Sequence, residues 1–462
     1  MKSSDTKERG TVVRKTGEQL LKEEFFITVS MFKWIILAII TGIVVGSGAS
    51  LFLWLLEHSI HTVRELPEWR YLLLFPGLWF SYYVVLSLTK NAKVDVEEDI
   101  NLRSGAVNIR AIPVRLFATI VTIASGGSAG KEGPSAQIGA GLMYCVSKLL
   151  RLNDYDRKRL VGCGLSAGIS AVFGTPITGA IFGIEVLCEG RLEYDILMPS
   201  FIGGIVSGIT TKFWHAGHLP SFPVTVPPLE PGMLFIAIAA GVFFGLVSLF
   251  HIECLAGVKK LFASLKVKAW QKPFIGALIM LGFALLWGDT YLGLGDETII
   301  AALSGHSIPM LAFALKSFAM AVTLSCGGNG GVLTPTLFIG AVSGSFLANS
   351  FGLDREVMSA LGFVAVLAGS TNTPIASTVL AMEVFGAAIA PFAGIACCVS
   401  YLITGHRSLY HGQLIKKPKI RNFVRKKMPD GTEKVVCRFD GVPVTRLISF
   451  KLRGAKKRLN IK

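Results

Sequence analysis

A carboxylate and an ammonium group interrupt one of the most apolar parts of the chain. The motif Gly130-Lys131-Glu132-Gly133-Pro134 lies within the apolar stretch 112–150. Because a charged side chain within a membrane segment costs at least about 2.5 kcal/mol on insertion scales, such residues are candidates for function. Glu132 is therefore the first functional candidate. The alternative is an interfacial Lys131–Glu132 pair without a role.

The motif belongs to an internal repeat. Residues 121–140 match residues 322–341 at an offset of 201, with nine of twenty positions identical. A second match, at an offset of 198, aligns Glu185 with Glu383. The chain therefore contains two homologous halves, of which the second has Gly331-Val332-Leu333-Thr334-Pro335 in place of the charged motif. Only one half carries the ionisable group.

The surrounding sequence is typical of a membrane protein. With 52% hydrophobic residues, 16% charged residues and a mean hydropathy of +0.57, the 462-residue chain is too apolar for a soluble or a disordered protein. Lipid offers no hydrogen-bond partner to an open strand, so the apolar stretches are predicted to be helices. Several stretches are too long for one crossing and contain Gly and Pro, which indicates tilted and broken helices.

The distribution of charge predicts how the chain is oriented. Residues 405–462 hold 17 Lys and Arg against 3 Asp and Glu, and six more basic side chains precede Phe25. Ends that are rich in Lys and Arg stay in the cytoplasm, so both termini are predicted to be cytoplasmic and the number of crossings to be even. The basic excess thus indicates orientation, and two alternatives stay open for the tail: contact with anionic lipid or a solvated tail. It does not indicate nucleic acid.

An even number of crossings allows each half to cross an odd number of times, which would invert the second half. The predicted fold is an all-α polytopic membrane protein with two inverted-topology repeats. Each glycine cluster is followed by Pro and an apolar segment, which is typical of a helix N-terminus. Two such N-termini would approach the middle of the membrane from opposite sides. Their unpaired N–H groups and positive dipole ends would select anions.

These patterns divide the chain into five segments. They are a cytoplasmic N-terminal segment (1–24), a first membrane repeat (25–212), a connecting segment (213–231), a second membrane repeat (232–412) and a basic cytoplasmic tail (413–462). Within the tail, residues 434–439, Asp440-Gly441 and residues 442–451 predict a small hairpin. The tail is too short to contain a pair of nucleotide-binding (CBS) regulatory domains.

Other motifs indicate chemistry that their context does not support. Residues 126–130 match the Gly-x-Ser-x-Gly pattern of serine hydrolases around Ser128, but such a turn needs a preceding strand and a nearby base. The second half also has Asn329 at the Ser128 position. A phosphate-binding loop fails because Ser125 replaces its first glycine. The eight histidines form no ligand set, so neither a metal nor a cofactor is predicted. An enzyme is not predicted, and an intramembrane serine hydrolase is a remote alternative.

The motif and the repeat resemble the CLC family of chloride channels and chloride/proton exchangers, over roughly residues 30–412. The family's Gly-Arg/Lys-Glu-Gly-Pro motif matches residues 130–134. Its Gly-x-Phe-x-Pro motif matches residues 331–335, except that Leu333 replaces Phe. Ser408-Leu409-Tyr410 is similar to the context of the family's central-site tyrosine. The resemblance implies a homodimer with one anion pathway in each subunit.

The resemblance also implies roles for individual residues. Glu132 would be the gate, whose carboxylate occupies an anion position until protonation or an anion from outside displaces it. Chloride or a similar small anion would be held by the backbone amides of Val332 and Leu333 and by the Tyr410 hydroxyl. The predicted anion-binding residues are Gly130, Lys131, Gly133, Gly331, Val332, Leu333 and Tyr410.

One departure from the family concerns anion selectivity. The family's serine-bearing loop corresponds here to residues 90–95, which contain no serine. Asn91 or Lys93 would have to donate in place of its hydroxyl. The choice among chloride, fluoride and nitrate therefore stays open.

A second departure concerns protons. Exchangers of the family usually have a cytoplasmic glutamate that passes protons to the gate, and Val186 stands at its position. Glu185 is adjacent, but its repeat partner Glu383 favours a structural role such as a buried hydrogen bond. The sequence therefore favours passive conduction through a glutamate-gated anion channel. The alternative is a chloride/proton or fluoride/proton antiporter.

Overall fold

The computed structural model describes residues 17–89, 100–101, 105–216, 221–410, 412–417 and 419, together with the backbone of two strands at 423–427 and 433–437. Asn91 and Lys93, which were predicted to replace the family serine, lie outside the described residues. Residues 442–451 of the predicted tail hairpin also lie outside them.

Helices form nearly all of the described chain, as burial in lipid requires. Within the described ranges, six helical segments are long and apolar enough to cross a membrane, among them Leu21–Arg64 and Pro231–Ser264. The predicted all-α polytopic membrane fold is therefore confirmed. The helices of the first half are α1 (Gly17–Arg64), α2 (Leu74–Thr89), α3 (Ala111–Ala124), α4 (Glu132–Leu149), α5 (Asp154–Phe173), α6 (Pro176–Glu185) and α7 (Leu197–Phe213).

The second half contains a similar series of helices. Its helices are α8 (Pro231–Ser264), α9 (Lys272–Trp287), α10 (Asp296–Leu303), α11 (Ala312–Cys326), α12 (Leu333–Phe351), α13 (Arg355–Thr371), α14 (Pro374–Phe385) and α15 (Ala390–Thr404). Single 3₁₀ turns precede α2, α7, α9 and α15, at Glu68–Leu73, Tyr194–Ile196, Ala269–Gln271 and Ala387–Ile389.

The two halves start and stop equivalent helices in the same way. The Asn153 side chain caps α5 by accepting a hydrogen bond from the Asp156 N–H at 2.8 Å, and Asp354 caps α13 in the same manner. At the other ends, Gly174 and Asn372 both adopt the left-handed conformation that terminates a helix. Repeat-related positions therefore carry repeat-related caps.

Pairs of glycines let the equivalent helices cross closely. A Cβ atom on Gly139 of α4 would overlap the Gly164 carbonyl of α5. The repeat partners Gly340 and Gly362 make the same close approach between α12 and α13. Because small residues bring helix backbones together in membranes, these crossings hold α4 and α12 in equivalent positions within their halves.

Two glutamates exchange helix caps between the halves. The Glu185 carboxylate, at the end of α6, accepts from the N–H groups of Ile375 (3.1 Å) and Ala376 (2.8 Å) at the start of α14. Glu383, near the end of α14, accepts in return from the N–H groups of Ile177 (3.1 Å) and Thr178 (2.7 Å) at the start of α6. A carboxylate at a helix N-terminus satisfies unpaired donors and the helix dipole. The hydrogen-bonding role that duplication suggested for Glu185 is present.

The chain after α15 returns to the membrane domain. Strand β2 (Leu414–Ile415) pairs in parallel with β1 (Cys188–Glu189), which follows α6. Farther along, β3 (Phe423–Lys427) and β4 (Glu433–Cys437) form an antiparallel pair. The strand predicted near 434–439 is present as β4, and its predicted partner at 442–451 lies outside the described residues. The pairing of β4 with β3 was not predicted. The overlooked signal is Pro429-Asp430-Gly431, a stronger turn sequence than Asp440-Gly441.

A buried lysine fastens this returning segment. The Lys419 side chain is 1% exposed, and its ammonium group lies 3.6 Å from the centroid of the Tyr401 ring. It donates to the Asn372 side chain at 2.7 Å and to two carbonyls at the end of α15, those of Tyr401 (2.6 Å) and Gly405. The Glu189 carboxylate lies 3.9 Å away and also contacts His406. Lys419 thus satisfies carbonyls that the helix leaves unpaired.

Burial lowers the pKa of Lys419 to about 7, although the charge of Glu189 opposes this shift. Burial also raises the pKa of Glu189, against the effects of Lys419 and His406. Between about pH 7 and the ordinary lysine value of 10.5, the folded protein therefore binds fewer protons at Lys419 than the unfolded chain does. In that range this group makes the free energy of unfolding rise with pH.

We therefore expect Lys419→Met to flatten the pH dependence of stability. The thermal midpoint of the wild type in detergent, relative to that of the variant, should rise from pH 7 to pH 9, by up to about 1.4 kcal/mol per pH unit in unfolding free energy. Glu189, whose pKa burial raises from the ordinary value of 4.5, contributes with the opposite sign. Lys416→Met, at an exposed position of the same segment, should follow the wild type. Parallel curves for the wild type and Lys419→Met would contradict the shifted titration.

Candidate functional site

The two glycine motifs meet through their backbones. The N–H of Gly130 donates to the carbonyl of Gly331 at 2.7 Å, and the N–H of Gly331 donates to the carbonyl of Gly130 at 2.7 Å. Helix α4 begins at Glu132 and helix α12 at Leu333, each directly after its bridged glycine and one capping residue. The two helix N-termini predicted from the repeat therefore lie side by side.

Two further hydrogen bonds repeat the symmetry of this bridge. The Thr323 hydroxyl of α11 accepts from the Ser128 N–H at 3.0 Å, and its repeat partner Thr122 of α3 accepts from the Asn329 N–H at 3.0 Å. Each half thus holds the glycine turn of the other half by a threonine from the preceding helix. The Ser81 hydroxyl contacts both Thr122 and the Asn329 side chain at 3.0 Å, which adds support on one side only.

Glycine is required at the bridge because other groups occupy the space around it. A Cβ atom on Gly130 would lie 2.8 Å from the Glu132 carboxylate and 2.9 Å from the Thr334 hydroxyl. A Cβ atom on Gly331 would lie 2.8 Å from the N atom of Gly133. The absent side chains leave room for a carboxylate between the two helix N-termini.

The Glu132 side chain fills that room. It is 2% exposed, and its two oxygens lie 2.5 and 2.6 Å from the Thr334 hydroxyl. One of them also accepts from the Thr334 N–H at 3.0 Å. A carboxylate from the first half therefore occupies the N-terminal turn of α12 in the second half, where helix N–H groups favour an anion.

Lys131 faces a cavity on one side of this site. Its ammonium group lies 3.6 Å from the Asp296 carboxylate, and the cavity, which we call the Lys131-side vestibule, has a volume of about 300 Å³. Glu57, Arg64 and Arg70 also line it. Charges of both signs therefore line this cavity, and Glu132, the residue after Lys131, is buried.

A larger cavity, the tail-side vestibule, opens at the other end of the molecule. Its volume is about 880 Å³, and Lys158, Arg159, Glu185, Asn372 and Tyr401 are among the residues that line it. Asn372 and Tyr401 are also contacted by Lys419. The returning tail segment therefore borders this cavity.

The distance between the two cavities follows from the residues of α1 that lie next to each of them. Arg159 of the tail-side vestibule lies 4.2 Å from the Trp34 ring centroid, whereas Glu57 lines the Lys131-side vestibule. These two positions on α1 are roughly 35 Å apart at 1.5 Å per residue. That distance is close to the thickness of the hydrocarbon core of a bilayer, about 30 Å. The two cavities therefore lie about one bilayer thickness apart along α1.

The remaining site predictions fall in different places. Leu333 is buried at the start of α12, and Val332 caps the helix, so both backbone positions belong to the turn that holds Glu132. Tyr410 is half-buried after α15, where the neighbouring Leu409 N–H donates to the Ser370 carbonyl at 2.9 Å. Val186 is 1% exposed and ends α6. Their roles in ion binding and proton transfer remain predictions.

Ser128 is not placed for hydrolysis. Its side chain is fully buried, and within the described residues its hydroxyl contacts no hydrogen-bond partner. A nucleophilic serine needs a base within hydrogen-bond reach. The Gly-x-Ser-x-Gly match therefore reflects the glycine turn.

Sequence reasoning missed Thr334, the residue that grips the Glu132 carboxylate. Its repeat partner is Gly133, so the repeat gave no indication of a hydroxyl at this position. The comparison with the family motif concerned the neighbouring Leu333, which replaces a Phe. The available signal was a hydroxyl at the second position of an otherwise apolar helix start, where a side chain and an N–H are able to bind the same anion.

Known proteins with similar sequences and structures share this architecture. Residues 77–405 match the family model described as voltage gated chloride channel. The chain is 33% identical over 396 residues to a chloride/fluoride channel protein from Pseudomonas syringae pv. tomato, which covers 84% of this chain and 87% of that protein. A crystal structure of a CLC-type fluoride/proton antiporter matches with a TM-score of 0.76 and 28% identity, over 84% of this chain and 98% of the other. A slow cyanobacterial Cl⁻/H⁺ antiporter matches with a TM-score of 0.71 at 18% identity, over 80% and 94%, and supports the fold alone.

These matches settle the family that the motifs resembled. The family model spans most of the chain, and the similar proteins extend over more than four fifths of it. Members of this family are transporters or channels that move anions across membranes, and they are not enzymes. The chain therefore belongs to the CLC family of voltage-gated chloride channels and anion/proton antiporters.

Proposed function

We propose that this protein exchanges a small anion, fluoride in preference to chloride, for protons, with Glu132 as the group that carries the proton. The observation behind the proposal is the position of the Glu132 carboxylate. It is buried and bound by the hydroxyl and the N–H of Thr334 at the first turn of α12. In this position the carboxylate takes the place of an anion at a helix N-terminus.

Competition for one position would couple the two solutes. Two negative charges repel strongly when they share a site of low dielectric constant, and this repulsion favours protonation of a carboxylate. An arriving anion therefore favours the neutral, protonated form of Glu132, which no longer needs the donors of Thr334. When the anion leaves, the deprotonated carboxylate regains them. Each anion step is then tied to a proton step.

The chemistry of Thr334 supports fluoride as the preferred anion. The cost of removing an ion from water rises as the ion becomes smaller, so fluoride needs stronger donors than chloride does. Thr334 presents a hydroxyl and an N–H to one point, at 2.6 and 3.0 Å from the same Glu132 oxygen. The chloride/fluoride channel protein and the fluoride/proton antiporter described above are similar to this chain over 84% of its length.

A passive, glutamate-gated anion channel is the second candidate. The observation that favours it is Val186, an apolar and buried residue at the position where exchangers of the family have a proton-carrying glutamate. The name of the Pseudomonas syringae relative, a channel protein, agrees with it. Under this function, Glu132 would open and close the path without a fixed ratio of protons to anions.

The proposal also includes the predicted anion-binding groups, oligomeric state, orientation and division of the chain. The anion would pass between the backbone amides of Val332 and Leu333 and the Tyr410 hydroxyl. The chain would form a homodimer with both termini in the cytoplasm, and the basic tail would contact anionic lipid. The division at residues 24, 212, 231 and 412 is likewise a proposal.

Liposome flux measurements distinguish the two candidates. With purified protein in vesicles and a fluoride gradient as the only driving force, we expect protons to move in the direction opposite to fluoride at a fixed ratio and so to build up a proton gradient. Glu132→Gln, which is neutral and unable to carry a proton, should still pass fluoride but lose proton movement. Fluoride flux that reverses at the fluoride equilibrium potential, with no proton uptake in the wild type, would establish the passive channel instead.

Replacement of Thr334 tests anion preference. Thr334→Val retains the branched shape and the N–H but removes the hydroxyl, and Thr334→Ser retains the hydroxyl. A hydrogen bond to a charged group is worth about 1.5–3 kcal/mol, so we expect Val to lower the fluoride-to-chloride flux ratio by about 10-fold or more and Ser to preserve it. Unchanged selectivity in the Val variant would remove Thr334 from the proposed anion site.

A further inference from the structure

A buried histidine joins three helices behind the anion site. His251 of α8 is fully buried, with Nδ1 at 3.2 Å from the Ser317 hydroxyl of α11 and Nε2 at 3.3 Å from the Thr336 hydroxyl of α12. Ser317 and Thr336 are also fully buried. Lys316, the neighbour of Ser317, donates instead to carbonyls that include that of Gly293 at 3.0 Å. The two ring contacts of His251 are therefore to neutral hydroxyls.

Both hydroxyls are engaged as donors elsewhere. The Thr336 hydroxyl donates to the Val332 carbonyl at 2.7 Å, and the Ser317 hydroxyl donates to the Phe313 carbonyl at 2.8 Å. A hydroxyl has one proton to donate. In this arrangement each ring nitrogen faces an oxygen that has no proton left for it.

The number of N–H groups on the His251 ring limits how many of these contacts can be hydrogen bonds. A neutral imidazole has one N–H, so it satisfies one hydroxyl and leaves the other nitrogen facing a lone pair. The nitrogen without a proton gains a hydrogen bond only if the hydroxyl that faces it turns away from its carbonyl and donates to the ring. A buried polar group without a hydrogen-bond partner costs about 1–3 kcal/mol. An imidazolium would donate at both nitrogens, but a full charge inside a membrane segment is costly. The tautomer of His251 therefore decides which carbonyl keeps its hydroxyl donor.

One of those carbonyls belongs to the anion site. The Val332 carbonyl and the Leu333 N–H are the two ends of a single peptide group, at the start of α12. The Val332 carbonyl accepts from the Thr336 N–H at 3.1 Å as well as from its hydroxyl. Hydrogen bonds received at a carbonyl polarise the peptide and strengthen its N–H as a donor.

We propose that His251 is a positioning residue for anion binding, which donates through Nε2 to Thr336 and so keeps the Thr336 hydroxyl on the Val332 carbonyl. This arrangement fixes the Val332–Leu333 peptide and strengthens the Leu333 N–H toward the anion. The inference rests on the proposed anion site at the start of α12. It assigns the affinity of that site in part to a residue on another helix.

Amide replacements separate the two ring nitrogens. The Gln amide reaches the position of Nε2, whereas the shorter Asn amide reaches only the position of Nδ1. We expect His251→Gln to keep the KM for fluoride within about twofold of the wild type. His251→Asn should raise it by about threefold to tenfold, the effect of one weakened hydrogen bond, with a smaller change in maximal flux.

Variants of the hydroxyls supply the matched controls. Thr336→Val should raise the KM as His251→Asn does, and the two together should raise it no further, because they remove the same interaction. Thr336→Ser should keep the wild-type KM. Ser317→Ala removes the other contact of the ring and should leave the KM unchanged. Equal KM values for the Asn and Gln variants, or a larger effect from Ser317→Ala than from Thr336→Val, would overturn the inference.

The outcome is separable from that of the proposed function. Fluoride flux of the Glu132→Gln variant requires no proton coupling, so the same series in that background reports anion affinity alone. A wild-type protein without fluoride or chloride flux would defeat the proposed function. Normal flux with KM values that do not depend on Thr336 and His251 would defeat only the inference. Gel filtration and thermal midpoints confirm that each variant is folded, and the near-isosteric Thr336→Val provides the test if a His251 variant is not.

Discussion

The reciprocal hydrogen bonds between Gly130 and Gly331 are the constraint on which the site depends. They join the turns that precede α4 and α12, so the two helix N-termini cannot separate without breaking a pair of buried backbone bonds. They also require glycine, because a side chain at either position would meet the carboxylate or the opposing backbone. The adjacent helix N-termini, which favour negative charge, and the space for a carboxylate thus follow from one contact between uncharged backbone groups.

Around this contact, repeat-related residues make symmetric contacts, and residues that differ between the halves make the contact of Glu132 with Thr334. Thr122 and Thr323 hold each other's turns, and Glu185 and Glu383 cap each other's helices. At the diverged positions, Glu132 of the first half reaches Thr334 of the second. One half therefore supplies the acid and the other supplies its receptor, whereas the symmetric contacts keep the distance between them constant.

Much of this could be predicted from the sequence because repeats and membrane burial leave few alternatives. The helical fold, the paired N-termini and the buried Glu132 followed from hydropathy, from nine identities in twenty positions and from one charged motif. The hydrogen bonds from Thr334 to Glu132 could not be predicted, because they depend on which face of α12 meets the other half. The contacts of His251 with Ser317 and Thr336 join residues 66 and 85 positions apart, and no local pattern relates them. The pairing of β3 with β4 was not predicted, although Pro429-Asp430-Gly431 between them is a typical turn sequence.

The exchanged bonds at Gly130 and Gly331 have the form of an isologous interface, in which each surface repeats the other about a two-fold axis. An ancestor of half this length would form that interface between two identical chains. In such a dimer, an acid at the position of Glu132 would appear twice, and the two carboxylates would crowd one cavity. In a single polypeptide the two copies differ at these positions, so one copy has the acid and the other has Leu333 and Thr334 at the equivalent residues. A single polypeptide thus accommodates an asymmetric contact, Glu132 with Thr334, within a symmetric backbone framework.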